Sequence, residues 1–284
     1  MKRISVVELK QLELLILKDV SDFCDSHDIR FYLAYGTMLG AIRHHGFIPW
    51  DDDIDIMMPR NDYERFISIY NKPNSRYVVR SIDNSDNYYY TMAKVYDKRT
   101  YLIDCTRVKQ STDSGVFIDI FPIDGMPNEM KKQNVIFKRQ QLLNLLVHGS
   151  SMKYTVSRRY IDYTGKYRRF LSIIRTILKF GAITIMRPLP TRKFIKMINK
   201  NASIYDFENS DLVSVLVDCT QFNRKEKLLK EKILPRKKYF FEGYEFWGAE
   251  DYDYYLTNMY DDYMKMPPKE NRKPHHYFEA YWSD

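Results

Sequence analysis

Cysteine is scarce and long apolar runs are missing in this chain of 284 residues. The three cysteines, Cys24, Cys105 and Cys219, are far apart and show neither a disulfide framework nor zinc-site spacing. We expect reduced, buried thiols and a cytoplasmic protein. No stretch of about 18 uncharged apolar residues is present, so we expect no transmembrane helix. The basic residues at positions 2 and 3 are not followed by an apolar segment, so we also expect no signal peptide.

Positive charge is concentrated in one segment of the chain. The net charge is +8, but residues 151–200 contain 13 Lys and Arg and only one acid, so this segment carries +12 and the remainder −4. Such a local excess favours one anionic surface partner over a protein that coats nucleic acid. Hydrophobic residues make up 44% of the chain, which is enough for a globular protein with a sizeable core.

Four carboxylates crowd into five positions, at Asp51, Asp52, Asp53 and Asp55, between apolar flanks. On a strand, Asp53 and Asp55 would point to the same face. Paired carboxylates repel each other unless a cation lies between them, and oxygen ligands suit Mg2+, or alternatively Mn2+. The competing interpretation is a solvated acidic loop. Because acids among core residues are costly without a partner, the flanks favour a metal site.

A glycine-containing stretch lies shortly before these acids. Gly36 and Gly40 predict a tight turn whose backbone N–H groups can approach a phosphate, because glycine has no Cβ. Thr37 is a predicted N-cap for a short helix that ends near Arg43. Together with a metal, such a turn is typical of phosphoryl or nucleotidyl transfer.

The spacing of apolar residues predicts an α/β fold with a mixed α+β sheet. Helices are predicted at residues 6–23, 37–43, 61–70, with Asn61 as a cap, 131–148 and 167–186. Strands are predicted at residues 31–34, 53–57, 77–79, 88–95, 101–104 and 116–121, the last ended by Pro122. We expect residues 1–150 to form a core, 151–200 a basic helical insertion, and 201–284 to belong to the same domain as the core.

The helix predicted at 167–186 is amphipathic. Its apolar face contains Phe170, Ile173, Ile174, Ile177 and Leu178, and the opposite face contains Arg168, Arg175 and Lys179. This pattern is typical of a helix that lies on an anionic membrane. It is equally compatible with an ordinary surface helix whose apolar stripe packs on the core, and the sequence leaves both interpretations open.

Two long motifs stand out, residues 35–56 (YGTMLGAIRHHGFIPWDDDIDI) and residues 115–125 (GVFIDIFPIDG), and a shorter one lies at residues 263–268, with His275 and His276 beyond it. These motifs resemble the signature of the LicD family. The resemblance implies a nucleotidyltransferase-like core with helical additions. It also implies transfer of a phosphorylated alcohol, most simply phosphocholine from CDP-choline, to a sugar of a cell-surface glycan or its lipid-linked precursor at the inner membrane face.

The resemblance also implies the residues of the site. Gly36 and Thr37 match the family's turn, Asp53 and Asp55 match its acid pair, and Asp119 matches its third acid. These acids would bind Mg2+, which neutralises charge on transferred phosphate. Asp119 would complete the metal shell or take the proton from the acceptor hydroxyl.

Several basic residues are candidates for binding substrate. Those closest in sequence to the acids are Arg43, His44 and His45, which could contact phosphate or hold the acidic strand by salt bridges. Lys94 could reach a phosphate or could protect an edge strand from aggregation. Arg272 and His276 fall in the C-terminal motif, and we expect both to contact substrate.

The chain departs from the family pattern at two places in its C-terminal part. Asp261 and Asp262 stand where the family usually has Gly-Asp, and residues 246–249 lack an expected proline. Both differences bear on acceptor recognition.

The sequence leaves two other functions open. One alternative function is a nucleotidyltransferase that attaches NMP from an NTP. The other is a membrane-binding or nucleic-acid-binding module that uses the basic segment. No nucleic-acid-binding motif is recognisable, so we expect no nucleic-acid partner.

Overall fold

The structure is a computed structural model that describes residues 2–111, 114–154, 166–218, 227–272 and 278–283, with the backbone alone for 166–172. The helices are α1 Val6–Ser26, α2 Tyr35–His44, α3 Arg60–Ile69, α4 Met130–Ser151, α5 Lys166–Met186, α6 Thr191–Ala202, α7 Lys230–Ile233 and α8 Tyr252–Tyr260. The strands are β1 Tyr32–Leu33, β2 Asp55–Pro59, β3 Tyr77–Arg80, β4 Ala93–Asp97, β5 Thr100–Asp104, β6 Phe117–Met126, β7 Leu212–Ser214, β8 Leu228–Leu229, β9 Arg236–Phe241, β10 Tyr244–Ala249 and β11 Phe278–Trp282. The predicted α/β class is confirmed.

One mixed sheet organises these elements. Its strands run in the order β1-β2-β6-β4-β3, and β7 continues the sheet on the second half of β6 with β8 beside it. Strands β2 and β6 are parallel, and the other neighbours in this sheet are antiparallel. Two smaller pairs, β9 with β10 and β5 with β11, lie outside it. Strand β6 is therefore central, and all ten of its residues are buried.

Strand β6 passes through Pro122 instead of ending there, so the predicted boundary is wrong. Pro122 lies opposite Met58 in the parallel register with β2. On the other side of β6, the pairing with β4 ends at Ile120 and the pairing with β7 begins at Asp124. Proline lacks an N–H, and it falls in the gap between these two partners, where the ladder needs no donor from it.

Helix α1 follows its predicted apolar stripe and begins with a complete capping box. The Ser5 hydroxyl accepts a hydrogen bond from the Glu8 N–H, and the Glu8 carboxylate accepts one from the Ser5 N–H. Leu9, Leu12 and Ile16 are buried in the main core. The burial of these side chains fixes the helix in the core and so positions the other side chains of its buried face.

Several predicted details differ from the structure. Strand β2 begins at Asp55 rather than at Asp53, and Pro59 rather than Asn61 caps α3. Residues 88–92 precede β4 instead of forming its first half. Cys105 is exposed, whereas Cys24 is buried as expected. Cys219 lies outside the described residues.

Candidate active site

Three charged side chains form a row across the centre of the sheet. Asp55 on β2 and Asp119 on β6 are register partners, and Asp119 is in turn the register partner of Lys94 on β4. Register partners on adjacent strands point to the same face, so the three side chains lie side by side. The Lys94 ammonium donates to Asp119 Oδ1 at 2.5 Å, and each of these side chains is only 9% exposed. Asp55 and Asp119, two of the predicted acids, are thus brought together.

The backbone of Asp55 is fixed by the preceding helix. Its N–H donates to Thr37 Oγ1 at 2.8 Å, and its carbonyl accepts from the Ala34 N–H at 3.0 Å. Thr37 lies inside α2, and the N-cap position belongs to Ala34, so the predicted cap is wrong. The Thr37 hydroxyl instead joins the helix to the start of the acidic strand.

Gly36 and Gly40 lie within α2, so the predicted tight turn is also wrong. The need for glycine at position 36 has a different cause. A Cβ there would lie 2.5 Å from Asp51 Oδ2, well inside van der Waals contact. The preceding Tyr35 has a φ of +44°, which is rare for a residue with a side chain, and its N–H donates to the Tyr255 hydroxyl at 3.0 Å. The start of α2 is therefore shaped to admit the Asp51 carboxylate.

The acid run before β2 forms a compact carboxylate cluster. Oxygens of Asp51, Asp52 and Asp53 lie within 4.8 Å of one another. Asp53 precedes the strand, so the alternation argument that paired it with Asp55 is wrong, although the two charges are neighbours. Burial, followed by the charges of Asp53, Asp119 and Asp51, raises the pKa of Asp55 well above its usual range. The cluster thus concentrates negative charge that a cation would relieve.

Glu13 adds a carboxylate that our sequence analysis missed. It comes from α1 and is 2% exposed, and its Oε2 atom accepts no hydrogen bond within the described part of the chain. Burial, followed by the charges of Asp53 and Asp52, raises its pKa well above the usual range. A sequence signal existed, because Glu13 follows Leu9 by four residues and therefore lies on the apolar face of α1.

Two cavities flank the row of charges. The larger, of about 430 Å³, is lined by Tyr35, Gly36, Leu39, Arg43, Ile48, Trp50, Asp51, Asp53, Asp55, Tyr260, Asp262, Tyr263, Lys265 and Pro267. The smaller, of about 220 Å³, is lined by Tyr90, Met92, Lys94, Leu102, Asp104, Thr106, Arg107, Phe117, Asp119, Asp218 and Phe278. Asp55 lines the first cavity and its neighbour Asp119 lines the second, so the two acids lie where the cavities adjoin the same sheet face.

The basic residues of the first motif have separate surroundings. Arg43 lines the larger cavity, donates to the Tyr263 carbonyl at 2.6 Å, and donates from Nε to His44 Nε2 at 3.0 Å. Burial, and then the Arg43 charge, lowers the pKa of His44, in keeping with a neutral ring that accepts this bond. His45 is exposed and ends α2 with a φ of +56°, and it lines neither cavity. Arg43 thus binds a backbone carbonyl rather than the acidic strand.

Lys94 and the C-terminal candidates complete the set. Strand β4 lies between β6 and β3, so the edge-strand interpretation of Lys94 is wrong. The Arg272 guanidinium lies 5.3 Å from the centre of the Trp50 ring, at the larger cavity, and its Nε donates to the Pro267 carbonyl at 2.9 Å. His276 lies outside the described residues. Substrate contact by Arg43, His44, His45, Lys94, Arg272 and His276 stays a prediction.

Comparison with known proteins decides the family. The family model for the LicD/FKTN/FKRP nucleotidyltransferase domain matches residues 28–145. The chain is also 31% identical to the lipopolysaccharide cholinephosphotransferase LicD of Haemophilus influenzae, over 283 residues that cover 99% of each protein. The chain belongs to the LicD family. The LicD resemblance of the two long motifs is thereby confirmed.

Shorter matches connect this LicD-family chain to two uncharacterized proteins. One, from Rickettsia typhi, is 39% identical over 69 residues, which cover 24% of this chain and 22% of that protein. The other, from Rickettsia prowazekii, is 40% identical over 47 residues, or 16% of this chain and 18% of that protein. These matches cover too little of either protein to carry an argument about its function.

Proposed function

We propose that this chain transfers phosphocholine from CDP-choline to a sugar hydroxyl of a lipopolysaccharide-type glycan or its lipid-linked precursor. The row of Asp55, Asp119 and Lys94 between two cavities carries the proposal, since a transferase must bring two substrates to one set of charged groups. Full-length similarity to an enzyme named as a lipopolysaccharide cholinephosphotransferase supports the choice of cargo and acceptor.

The acidic residues fit Mg2+. Their donors are all carboxylate oxygens, which hard divalent cations prefer. Burial, followed by the charges of Asp53, Asp119 and Asp51, raises the pKa of Asp55, and a bound cation would offset these charges. Asp53, Asp55 and Asp119 would hold the ion, with Asp51 beside them, and Mn2+ could replace it. A bound ion would neutralise charge on the donor phosphates and on the departing CMP.

The proposed reaction is a single phosphoryl transfer. The acceptor hydroxyl oxygen forms a bond to the phosphorus of choline phosphate, and the bond from that phosphorus to the oxygen of CMP breaks. CMP leaves with the electron pair of that bond, and the hydroxyl proton passes to a carboxylate. Asp104, Asp119 and Asp218 all line the smaller cavity, and Asp119 is the one that lies beside Asp55 and that the Lys94 ammonium holds in place.

The cavities suggest where each substrate binds. The larger one has room for a nucleotide, and it presents the rings of Tyr35, Trp50, Tyr260 and Tyr263 beside carboxylates. Aromatic faces next to negative charge attract a quaternary ammonium group, as the Arg272 cation over Trp50 illustrates. We therefore assign CDP-choline to the larger cavity and one acceptor sugar to the smaller.

The reaction class is tested by its products. CDP-choline, CDP-glycerol and CDP-ribitol are each supplied with Mg2+ and a lipid-linked glycan, and CMP is measured. We expect release of CMP from CDP-choline and no pyrophosphate from any NTP. Pyrophosphate with glycan-bound NMP would favour the nucleotidyltransferase alternative, and no turnover of any donor would favour a binding module.

The assignment of the larger cavity is tested by Trp50→Ala. Loss of a cation–π contact should raise the KM for CDP-choline by about tenfold and leave CDP-glycerol, which has no cation, less affected. Trp282→Ala is a matched control, because Trp282 also has an arginine over its ring, Arg99 at 5.5 Å, but lines neither cavity. Equal effects on both donors would contradict the assignment.

A further inference from the structure

Helix α5 turns an apolar face to solvent. Between residues 173 and 186 its exposed large side chains are Ile173, Ile174, Ile177, Leu178 and Ile185, with exposed fractions from 38% to 76%. At 100° per residue these positions fall within one arc of the helix, and no charged residue interrupts them. The interpretation that the predicted stripe packs on the core is therefore wrong for Ile173, Ile174, Ile177 and Leu178. The side chain of Phe170 lies outside the described part of the protein.

The opposite side of α5 fixes this orientation. Ile183 is 4% exposed, and Met186 lies against Gly149 on α4. The Phe180 ring contacts the Tyr154 ring, with 5.2 Å between their centres. The helix is thus anchored by a narrow inner strip, and its wider apolar arc has no cover within the described part of the protein.

The same region is strongly basic. Residues 166–202, which form α5, α6 and their connection, contain ten Lys and Arg and no Asp or Glu. On α6, a shallow depression of about 370 Å³ is lined by Arg192, Lys193, Lys196, Met197 and Lys200. An apolar arc together with an excess of positive charge in the same segment matches a surface that offers both hydrocarbon and anionic groups.

We propose that α5 docks in the plane of an anionic phospholipid bilayer, with its apolar arc in the headgroup region and the neighbouring basic side chains on lipid phosphates. A second copy of the chain is a poorer occupant, because two such faces would bring like charges together. Nucleic acid would satisfy the basic groups and leave the apolar arc exposed. No helix in the described residues meets the length and hydropathy needed to cross a bilayer, so the contact is interfacial.

Co-sedimentation of the full chain with vesicles tests this docking, independently of any donor turnover. The probes are vesicles of phosphatidylcholine alone and of phosphatidylcholine mixed with phosphatidylglycerol. We expect binding to the mixed vesicles only, and weaker binding as salt is added. Leu178→Glu should weaken binding at least about tenfold, because it places a charge on the inserted face.

Val7→Glu is the matched control. Val7 on α1 is 68% exposed and Leu178 is 67% exposed, so both substitutions place a charge on an exposed apolar site. Val7→Glu should leave vesicle binding unchanged. The proposal is overturned if wild-type protein does not bind the mixed vesicles, or if Leu178→Glu binds as well as wild type. It is also overturned if ultracentrifugation finds a dimer that Leu178→Glu dissociates.

Discussion

The buried ion pair of Lys94 and Asp119 gives the sharpest quantitative prediction. Lys94→Met keeps most of the side-chain volume and removes the charge that faces Asp119. Loss of one partner of a buried ion pair costs about 3–5 kcal/mol, because the other charge stays buried. Here Asp55, the register partner of Asp119, is itself a carboxyl group and cannot replace the lost ammonium as a positive partner. We expect a loss within that range, measured by urea unfolding without metal.

Repeating the urea unfolding of Lys94→Met with Mg2+ tests whether a cation binds among the acids. A cation bound among the acids would compensate the charge that Lys94→Met leaves, so Mg2+ should stabilise this variant more than wild type. Lys132→Met is the control, because Lys132 and Glu129 have the same N···O distance of 2.5 Å but are 53% and 65% exposed. Lys132→Met should leave the free energy of unfolding unchanged within the error of the measurement. A loss below about 1 kcal/mol for Lys94→Met would refute the argument from burial.

Three further predictions concern single positions. Gly36→Ala should lower kcat/KM about 100-fold with the fold retained, because a Cβ displaces Asp51, whereas Gly181→Ala, with open space around it, should have no effect. Asp261 has a φ of +59°, which strains the backbone of a residue with a side chain. Asp261→Gly should therefore raise the free energy of unfolding by about 1 kcal/mol in urea titrations. An unchanged free energy of unfolding would contradict the argument from backbone strain. The pKa of Glu13 is raised in the folded protein, so the native state binds more protons and stability falls as pH rises. Glu13→Gln should remove the part of that fall that lies above the ordinary pKa range of a carboxyl group, measured by metal-free unfolding at several pH values. If the variant keeps the same dependence of stability on pH, groups other than Glu13 cause it.

Local patterns predicted the elements that contain strong apolar periodicity. Helices α1, α4 and α5 and strands β1, β3 and β5 lie at the predicted positions, with small shifts at their ends. Helices α6 and α8 and the β9–β10 pair were missed. The residues of this pair alternate mainly among lysine, aromatic and acidic side chains, so its burial depends on distant partners such as Phe47, whose ring lies 5.0 Å from that of Phe241.

The site shows the same division between local and distant information. The motif residues predicted a charge cluster, and Asp51, Asp53 and Asp55 do line one cavity. The register that brings Lys94 to Asp119 depends on which strands are neighbours, which the sequence alone did not reveal. Asp261 was noticed as a departure from a family glycine, and its positive φ explains why glycine suits that position.

The most direct test of the account is transfer of labelled phosphocholine from CDP-choline to the isolated glycan by wild-type protein and by Asp55→Asn, both with Mg2+. The account predicts transfer by wild type and a loss of at least about 100-fold in the variant, as expected for a metal ligand. The variant should remain folded, because Asn removes a buried charge at constant size. Transfer by Asp55→Asn within about tenfold of wild type would contradict the central role of the acid row.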